Sequence, residues 1–548
     1  MRYFRNLCSH NNQLHIFIKA LLLASLPAIC CILYCNSKGF MLKDVYLPCS
    51  NWNDELFYYK QVEGVLHYGY PLGYFGFYES HALKLSFAAW SPVLMLPWII
   101  WGILFGWNIM SPIFCNIVLL SLTCFLFVYL VKPNWVQLTS LALLFCPYIP
   151  FIRYMLSGMS EITCFCTLIL FYAFVFHYLH TKRSYALVFL FLLSCLMTLM
   201  RPYLILFLFL PIYFWLHESH DKSGKYKHWA CSFLILAGVS GLYFYINHYL
   251  GAAYFGPLFF TDWITAFFEQ GLLDGAYYTL KALYSSGRNF FSYIIEAFRS
   301  GLSAGTFYAG YSICFLALLI QCSCHLYQRH QRKSCRKKSN LPKSLLRQPP
   351  ISGDILAVEI HLLLSSMVML VAVLLMYKLP EGGRHLSIFI AAEIFVFATL
   401  VRKKFPLQIV IIATLFTYLY AYKAHYQIPF TQPERHASIE HWQETLSKGL
   451  LLDQENPSPN YGNVIIWVLG DMVDGQPATT EWQFLYALPA GFGISCCTYD
   501  YVMEHFTSLQ SKYIYVVSGG EIERQCIEAG YTCLLENDGM VLYANNHF

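Results

Sequence analysis

Residues Tyr327–Arg347 read YQRHQRKSCRKKSNLPKSLLR. A dense run of lysine and arginine between long apolar segments belongs on the cytoplasmic side of a membrane, because short cationic loops resist translocation. The 548-residue chain around it is 57% hydrophobic and only 12% charged, with 18% aromatic residues and a mean hydropathy of +0.47. Soluble domains carry about 25% charged residues. Apolar runs recur from Leu14 to Tyr422, so the expected fold class is mainly α: a polytopic transmembrane helical bundle of about eleven or twelve spans, with a small C-terminal α/β domain.

The spans fall near Leu14–Tyr34, Pro112–Val131, Val136–Ile152, Ile162–Leu179, Tyr185–Leu199, Pro202–Leu216, Trp229–Tyr249, Tyr308–Cys324, Ile355–Tyr377, Leu386–Leu400 and Pro406–Tyr422. Arg2 and Arg5 place the N-terminus inside. Arg402 to Lys404, Lys182-Arg183 and the lysines of His217–His228 mark further inner turns. One more run, Phe87–Trp107, would invert every later loop if it crossed. Pro92, Pro97 and Gly102 interrupt it, so it is expected to dip or lie at the interface. The alternative is a full crossing offset by a merged pair at Tyr185–Leu216. The formal net charge of +5 reflects these inner loops and implies no nucleic acid.

The division is residues 1–422 as the membrane domain and 423–548 as an extracytoplasmic domain. The outer side receives loop 36–86, loop 250–307, the turn Leu379–His385 and the tail. The tail shows buried-strand runs at Val464–Gly470 and Tyr513–Gly519, helices near Tyr501–Leu509 and Glu521–Gly530, and a closing hairpin turning at Asn537-Asp538-Gly539. Most of the 20 cysteines lie in apolar runs as small hydrophobes. In the tail, Cys526 with Cys533, or Cys496 or Cys497, are disulfide candidates, and Cys322-Ser323-Cys324 lacks a second ligand pair for zinc.

The chemistry-bearing residues stand on that outer side. NDELFYYK (Asn53–Lys60) sets Asp54 and Glu55 among aromatics at headgroup depth, with Asp54, Tyr58 and Gln61 on one helical face. An acid there can meet a substrate whose head is at the surface and whose tail is in the bilayer. The ordinary alternative is loop polarity. Glu161 opens an apolar span, favoured there by the helix dipole and within reach of Arg153. Arg201 sits between two apolar runs and needs an anionic partner or an interfacial position.

In KLPEGGRHLS (Lys378–Ser387), Gly382 and Gly383 suit a tight turn. Arg384 and His385 then start the next helix, a donor set for phosphate with Lys378 beside it. Membrane-edge anchoring is the plain alternative. Loop 250–307 reads as two or three amphipathic helices on the membrane, with Lys281 and Arg288 able to meet anionic groups.

This order of motifs resembles the GT-C class of integral membrane glycosyltransferases. The acidic Asn53-Asp54-Glu55 lies in the first outer loop, a broken apolar stretch follows, and Glu161 opens a later span. Arg384 and His385 stand in a late outer turn, and an extracytoplasmic domain trails. The Asp-Glu pair is similar to the protein O-mannosyltransferase arrangement, and the order also resembles the aminoarabinose transferase group. The His-Pro-Pro segment of several branches is absent, Ser91-Pro92 standing near its place.

The resemblance implies a polyprenyl-phosphate sugar as donor, a glycan, lipid or protein acceptor hydroxyl, and inverting displacement outside a bacterial plasma membrane. Asp54 and Glu55 would be catalytic, Arg384, His385 and Arg201 would bind donor phosphate, and Glu161, Arg153, Lys378 and Arg288 would support them. No cofactor is implied, although the acidic pair could hold a divalent cation. The rivals are a multi-span polysaccharide polymerase or ligase using Arg288 and Arg299, and a lipid-linked glycan transporter, for which inverted repeats and mid-span charges other than Glu393 are lacking. A reporter fused after Phe548, and one beside Asp54, are both expected outside the cytoplasm. A cytoplasmic signal from either contradicts this topology.

Overall fold

The structure, a computed structural model, describes residues 2–48, 54–70, 75–79, 91–145, 148–218, 222–251, 260–300, 303–337, 352–377, 379–400, 433–450 and 461–546. Seven helices within it are long and apolar enough to cross a membrane, and the chain is a multi-pass membrane protein. They lie at Gln13–Ser37, Ser111–Val131, Glu161–Thr181, Gly224–Tyr249, Gly305–Arg332, Gly353–Met376 and Gly382–Leu400. The expected span Pro406–Tyr422 and the cluster Arg402 to Lys404 lie outside the described residues.

Shorter apolar helices complete the bundle. Residues Pro202–Leu208 are a 3-10 helix that runs into the α-helix Phe209–Glu218. A 3-10 turn rises about 2.0 Å per residue against 1.5 Å in an α-helix, so these 17 residues reach roughly 29 Å, close to the thickness of the hydrocarbon core. The expected span Val136–Ile152 is instead two short helices, Trp135–Phe145 and Ile149–Met155. Pro150, near the start of the second, is placed where a helix tolerates proline.

The doubtful run Phe87–Trp107 holds a 3-10 turn at Pro92–Met95 and a ten-residue helix, Leu96–Phe105. The two together rise about 23 Å, and residues 87–90 lie outside the described residues. Part of the basic stretch Tyr327–Arg347 is helical rather than loop, since the helix Ser303–Lys337 carries on to Lys337.

Among the described residues, eight strands form two sheets. The main one has the order β1-β5-β2-β6-β8-β7, with β1 Phe75–Phe77, β2 Val464–Val468, β5 Gly493–Cys497, β6 Tyr513–Val517, β7 Thr532–Asn537 and β8 Met540–Ala544. β1, β5, β2 and β6 are parallel, while β8 and β7 are antiparallel. A hairpin, β3 Asp471–Val473 with β4 Gln476–Ala478, stands beside it. The closing hairpin turns at Asp538 and Gly539 with φ of 50° and 74°, the two positive values that a type I′ turn needs. The disulfide expectation is corrected: Cys496, Cys497, Cys526 and Cys533 are free thiols, the first two packed inside β5 and Cys526 in the sheet's second core.

The unforeseen element is β1. It comes from the chain between the first two long helices, over 410 residues from its partner, and pairs Phe75 with Ile494 and Phe77 with Cys496. Glu79 closes this join. Its Oε1 accepts from Gln510 N at 2.9 Å, Ser511 N at 2.7 Å and Ser511 Oγ at 2.7 Å. Three donors on one buried carboxylate oxygen make a strong charge-assisted anchor. Glu79→Ala should therefore destabilise the tail by about 2–3 kcal/mol and speed protease cleavage near residues 69–90, read by thermal unfolding and limited proteolysis. Unchanged protection would remove the anchor from this account.

Candidate active site

The helix Asp54–Tyr68 carries the acidic pair and sits between the bundle and the tail. Toward the bundle, Tyr58 meets Trp98 at 6.2 Å and Tyr59 stacks on Trp107 at 5.3 Å between ring centroids. Toward the tail, Phe57 meets Trp467 at 6.3 Å, and Tyr59 also meets Tyr486 at 5.2 Å. Lys60 Nζ donates to Leu488 O and pairs with Glu63 at 2.8 Å. Rings on both sides leave the helix little freedom to turn about its axis.

Fixed this way, the two acids diverge. Asp54 Oδ2 accepts from Arg384 at 2.8 Å, with both side chains nearly one-fifth exposed. Glu55 is fully buried, and its Oε1 accepts from the Gly158 N–H at 2.8 Å. Asp54 stays reachable, and Glu55 ties the helix to the loop before Glu161.

A second pair lies behind the first. Arg201 donates to Glu161 Oε1 at 3.2 Å, and both side chains are only 1% exposed. The expected partner of Glu161 was Arg153. The structure gives it Arg201, because Arg201 interrupts two apolar helices at the depth where the helix Glu161–Thr181 begins. Arg153 is buried in the short helix before it. Arg384 lies within electrostatic reach of Glu161 and Arg201, and the Tyr58 phenol sits among Arg201, Asp54 and Glu161. Burial pushes the Tyr58 hydroxyl far above its ordinary pKa; Arg201 opposes this and the two acids add to it. It therefore keeps its proton and can only serve as a neutral hydrogen-bonding group.

The expectation of a glycine turn before Arg384 is corrected. The helix starts at Leu379, so Gly382, Gly383 and Arg384 lie within it and Arg384 is not its first residue. The glycines serve packing instead: a Cβ on Gly382 would meet Val373 Cγ1 at 2.6 Å, and one on Gly383 would meet Phe307 Cβ at 3.2 Å. Arg384 meets Asp54 through its guanidinium, and among the described residues no free helix-terminal N–H groups stand beside it. His385 Nδ1 is 3.1 Å from Tyr203 Oη, and its ring lies 4.4 Å from Tyr377.

Tyr203 and Tyr377 were not foreseen; each follows or precedes a named candidate by one or two residues, and proximity in sequence was the only signal. Arg288 is exposed on the helix Leu272–Ser300 and takes no part in these pairs. Lys378 and Asn53 lie outside the described residues. Among the described residues, no three His, Cys, Asp or Glu side chains form a metal-ligand group.

No protein-family model and no curated protein matches the sequence. Solved structures do. The oligosaccharyltransferase of Archaeoglobus fulgidus in its apo form is 13% identical, with a TM-score of 0.48 over 98% of this chain and 74% of its own. The same archaeon's AglB, in complex with an inhibitory peptide and a dolichol-phosphate, is also 13% identical, with a TM-score of 0.42 over 97% of this chain and 74% of its own. ArnT from Cupriavidus metallidurans bound to undecaprenyl phosphate is 9% identical, with a TM-score of 0.42 over 96% of this chain and 97% of its own.

The buried pair generates a stability test. Glu161→Gln or Arg201→Met alone leaves a charge buried without its partner, at a cost of about 3–5 kcal/mol. Glu161→Gln with Arg201→Met should be milder than the sum of the single variants, measured by thermal unfolding of detergent-solubilised protein. Strict additivity would mean that the two side chains do not act as a pair.

Proposed function

We propose that this protein transfers a sugar from a polyprenyl-phosphate-linked donor to an acceptor hydroxyl, with Asp54 as general base and Arg384 as the donor-phosphate ligand. The observation that carries this is the 2.8 Å contact between the two, at the only reachable carboxylate of the cluster. The four charged groups, Arg201 and Arg384 with Glu161 and Asp54, sum to zero. A lipid phosphate arriving beside Arg384 brings one negative charge too many, and it competes with Asp54 for the guanidinium.

The sequence of events follows from that competition. Donor phosphate takes Arg384, and Asp54 loses its counter-charge and becomes a free base. Asp54 then removes the acceptor hydroxyl proton as the oxygen attacks the anomeric carbon. The bond from that carbon to the phosphate oxygen breaks, and Arg384 holds the charge that develops on the departing lipid phosphate. A single base with direct displacement inverts the anomeric centre. Arg201 serves by fixing Glu161 and the positive field behind the site, and His385 by positioning beside Tyr203. Glu55 is a positioning residue that sets the angle of the helix. The steps as written need no cofactor.

The reaction is placed on the extracytoplasmic face, where Tyr327–Arg347 as an inner loop puts both Asp54 and the tail. The polymerase reading needs Arg288 and Arg299 at the reactive centre, and both are exposed on the interface helix.

Asp54→Asn should lower transfer by roughly 10²–10⁴-fold with folding intact. Arg384→Ala should weaken donor binding strongly and Arg384→Lys restore only part, since a point charge cannot replace a forked donor. The assay is transfer from an undecaprenyl-phosphate-linked sugar by purified variants. Near-normal turnover of both Asp54→Asn and Arg384→Ala would remove this site from the mechanism.

A further inference from the structure

Beside the catalytic cluster lies a recess that the steps above leave unused. A cleft of 490 Å³ opens between the interface helices Asp262–Glu269 and Leu272–Ser300 and the outer end of the helix Gly353–Met376. The Phe260 N–H donates to Met376 O at 3.0 Å and pins the loop to the end of that helix. Tyr377 belongs to both places: it lines the cleft, and its ring lies 4.4 Å from His385, the neighbour of Arg384. Tyr377 therefore links the cleft to the neighbour of Arg384.

Its lining has a recognisable chemistry. Trp263, Tyr278 and Tyr293 offer ring faces, and Asp262 and Asn289 offer hydrogen-bonding groups. Ring faces suit the C–H faces of a pyranose, and a carboxylate with an amide suits its hydroxyls. Among the described residues the lining includes a carboxylate and no lysine or arginine, and a carboxylate repels a phosphate. A prenyl chain would desolvate Asp262 and Asn289 without giving them partners. Position adds to this: amphipathic helices on the surface bring a site to headgroup depth, where a soluble glycan can enter from water.

We infer that this cleft binds a neutral saccharide, the acceptor glycan, and presents its hydroxyl toward Asp54. This rests on the transfer reading and narrows its acceptor to a carbohydrate. The donor's own sugar has the same chemistry, so the test must separate the two.

Wild-type protein, Trp263→Ala and Asn289→Leu are compared in lipid nanodiscs. Saturation-transfer NMR reads linear neutral hexasaccharides of glucose, mannose and galactose. Native mass spectrometry reads undecaprenyl phosphate and undecaprenyl-phosphate mannose. At least one hexasaccharide should bind the wild type, and both variants should weaken it by about tenfold while undecaprenyl phosphate binding changes by less than about twofold. The inference is overturned if no hexasaccharide binds, or if the variants bind it equally. Loss of undecaprenyl phosphate in the variants would make the cleft a lipid site, and selective loss of the mannosylated lipid would assign it to the donor sugar; either overturns it. Failure of the transfer reading shows separately, as undecaprenyl phosphate binding indifferent to Arg384→Ala.

Discussion

The first half of the helix Asp54–Tyr68 has almost no free surface. Residues from Glu55 to Val62 are all buried, charged and polar ones included. Such a helix is stable only if every face finds its own partner, because buried polar groups must be satisfied and buried rings must pack. Membrane helices satisfy one face, the tail satisfies another, and the Gly158 amide takes the Glu55 carboxylate. The same loop then continues into β1 and Glu79, which join the sheet of the tail. The first outer loop is thus the mortar between two parts of the chain, and the orientation of Asp54 is a consequence of that double packing.

Electrostatics follows from the same geometry. Ion pairs this deep are weak sources of stability, since desolvation offsets much of the attraction. Their value is positional. The inner pair, Arg201 with Glu161, is sealed and permanent, while the outer pair, Arg384 with Asp54, keeps partial exposure. A sealed pair supplies a fixed field, and an exposed one can exchange partners. That difference is the ground for proposing the first as scaffold and the second as the reactive pair.

Much of this is legible in the sequence. Apolar run length gave the bundle, because a membrane leaves few alternatives to helices, and the prolines of Phe87–Trp107 foretold its broken 3-10 and α segments. Asp54, Glu161, Arg201 and Arg384 were all visible as charges where charge is expensive, and His385 as the polar neighbour of Arg384. Their pairing was not. Arg153 is closer in sequence to Glu161 than Arg201 is, yet the helix ends bring Arg201 to it. Strand β1 was hidden because three residues, Phe-Gly-Phe, carry no periodicity of their own, and β5, Gly-Ile-Ser-Cys-Cys, resembles a loop with reactive thiols. The Gly-Gly pair was misread as a turn, because glycine signals close approach as well as chain reversal.

The central claim is that Asp54 and the donor phosphate compete for Arg384. The direct measurement is the affinity of undecaprenyl phosphate for wild type and for Asp54→Asn in nanodiscs, at fixed salt. Removing the competing carboxylate should tighten lipid phosphate binding several-fold, in the same variant that loses transfer. Weaker binding by Asp54→Asn would contradict the account, since the carboxylate would then be helping to hold the donor rather than standing in its place.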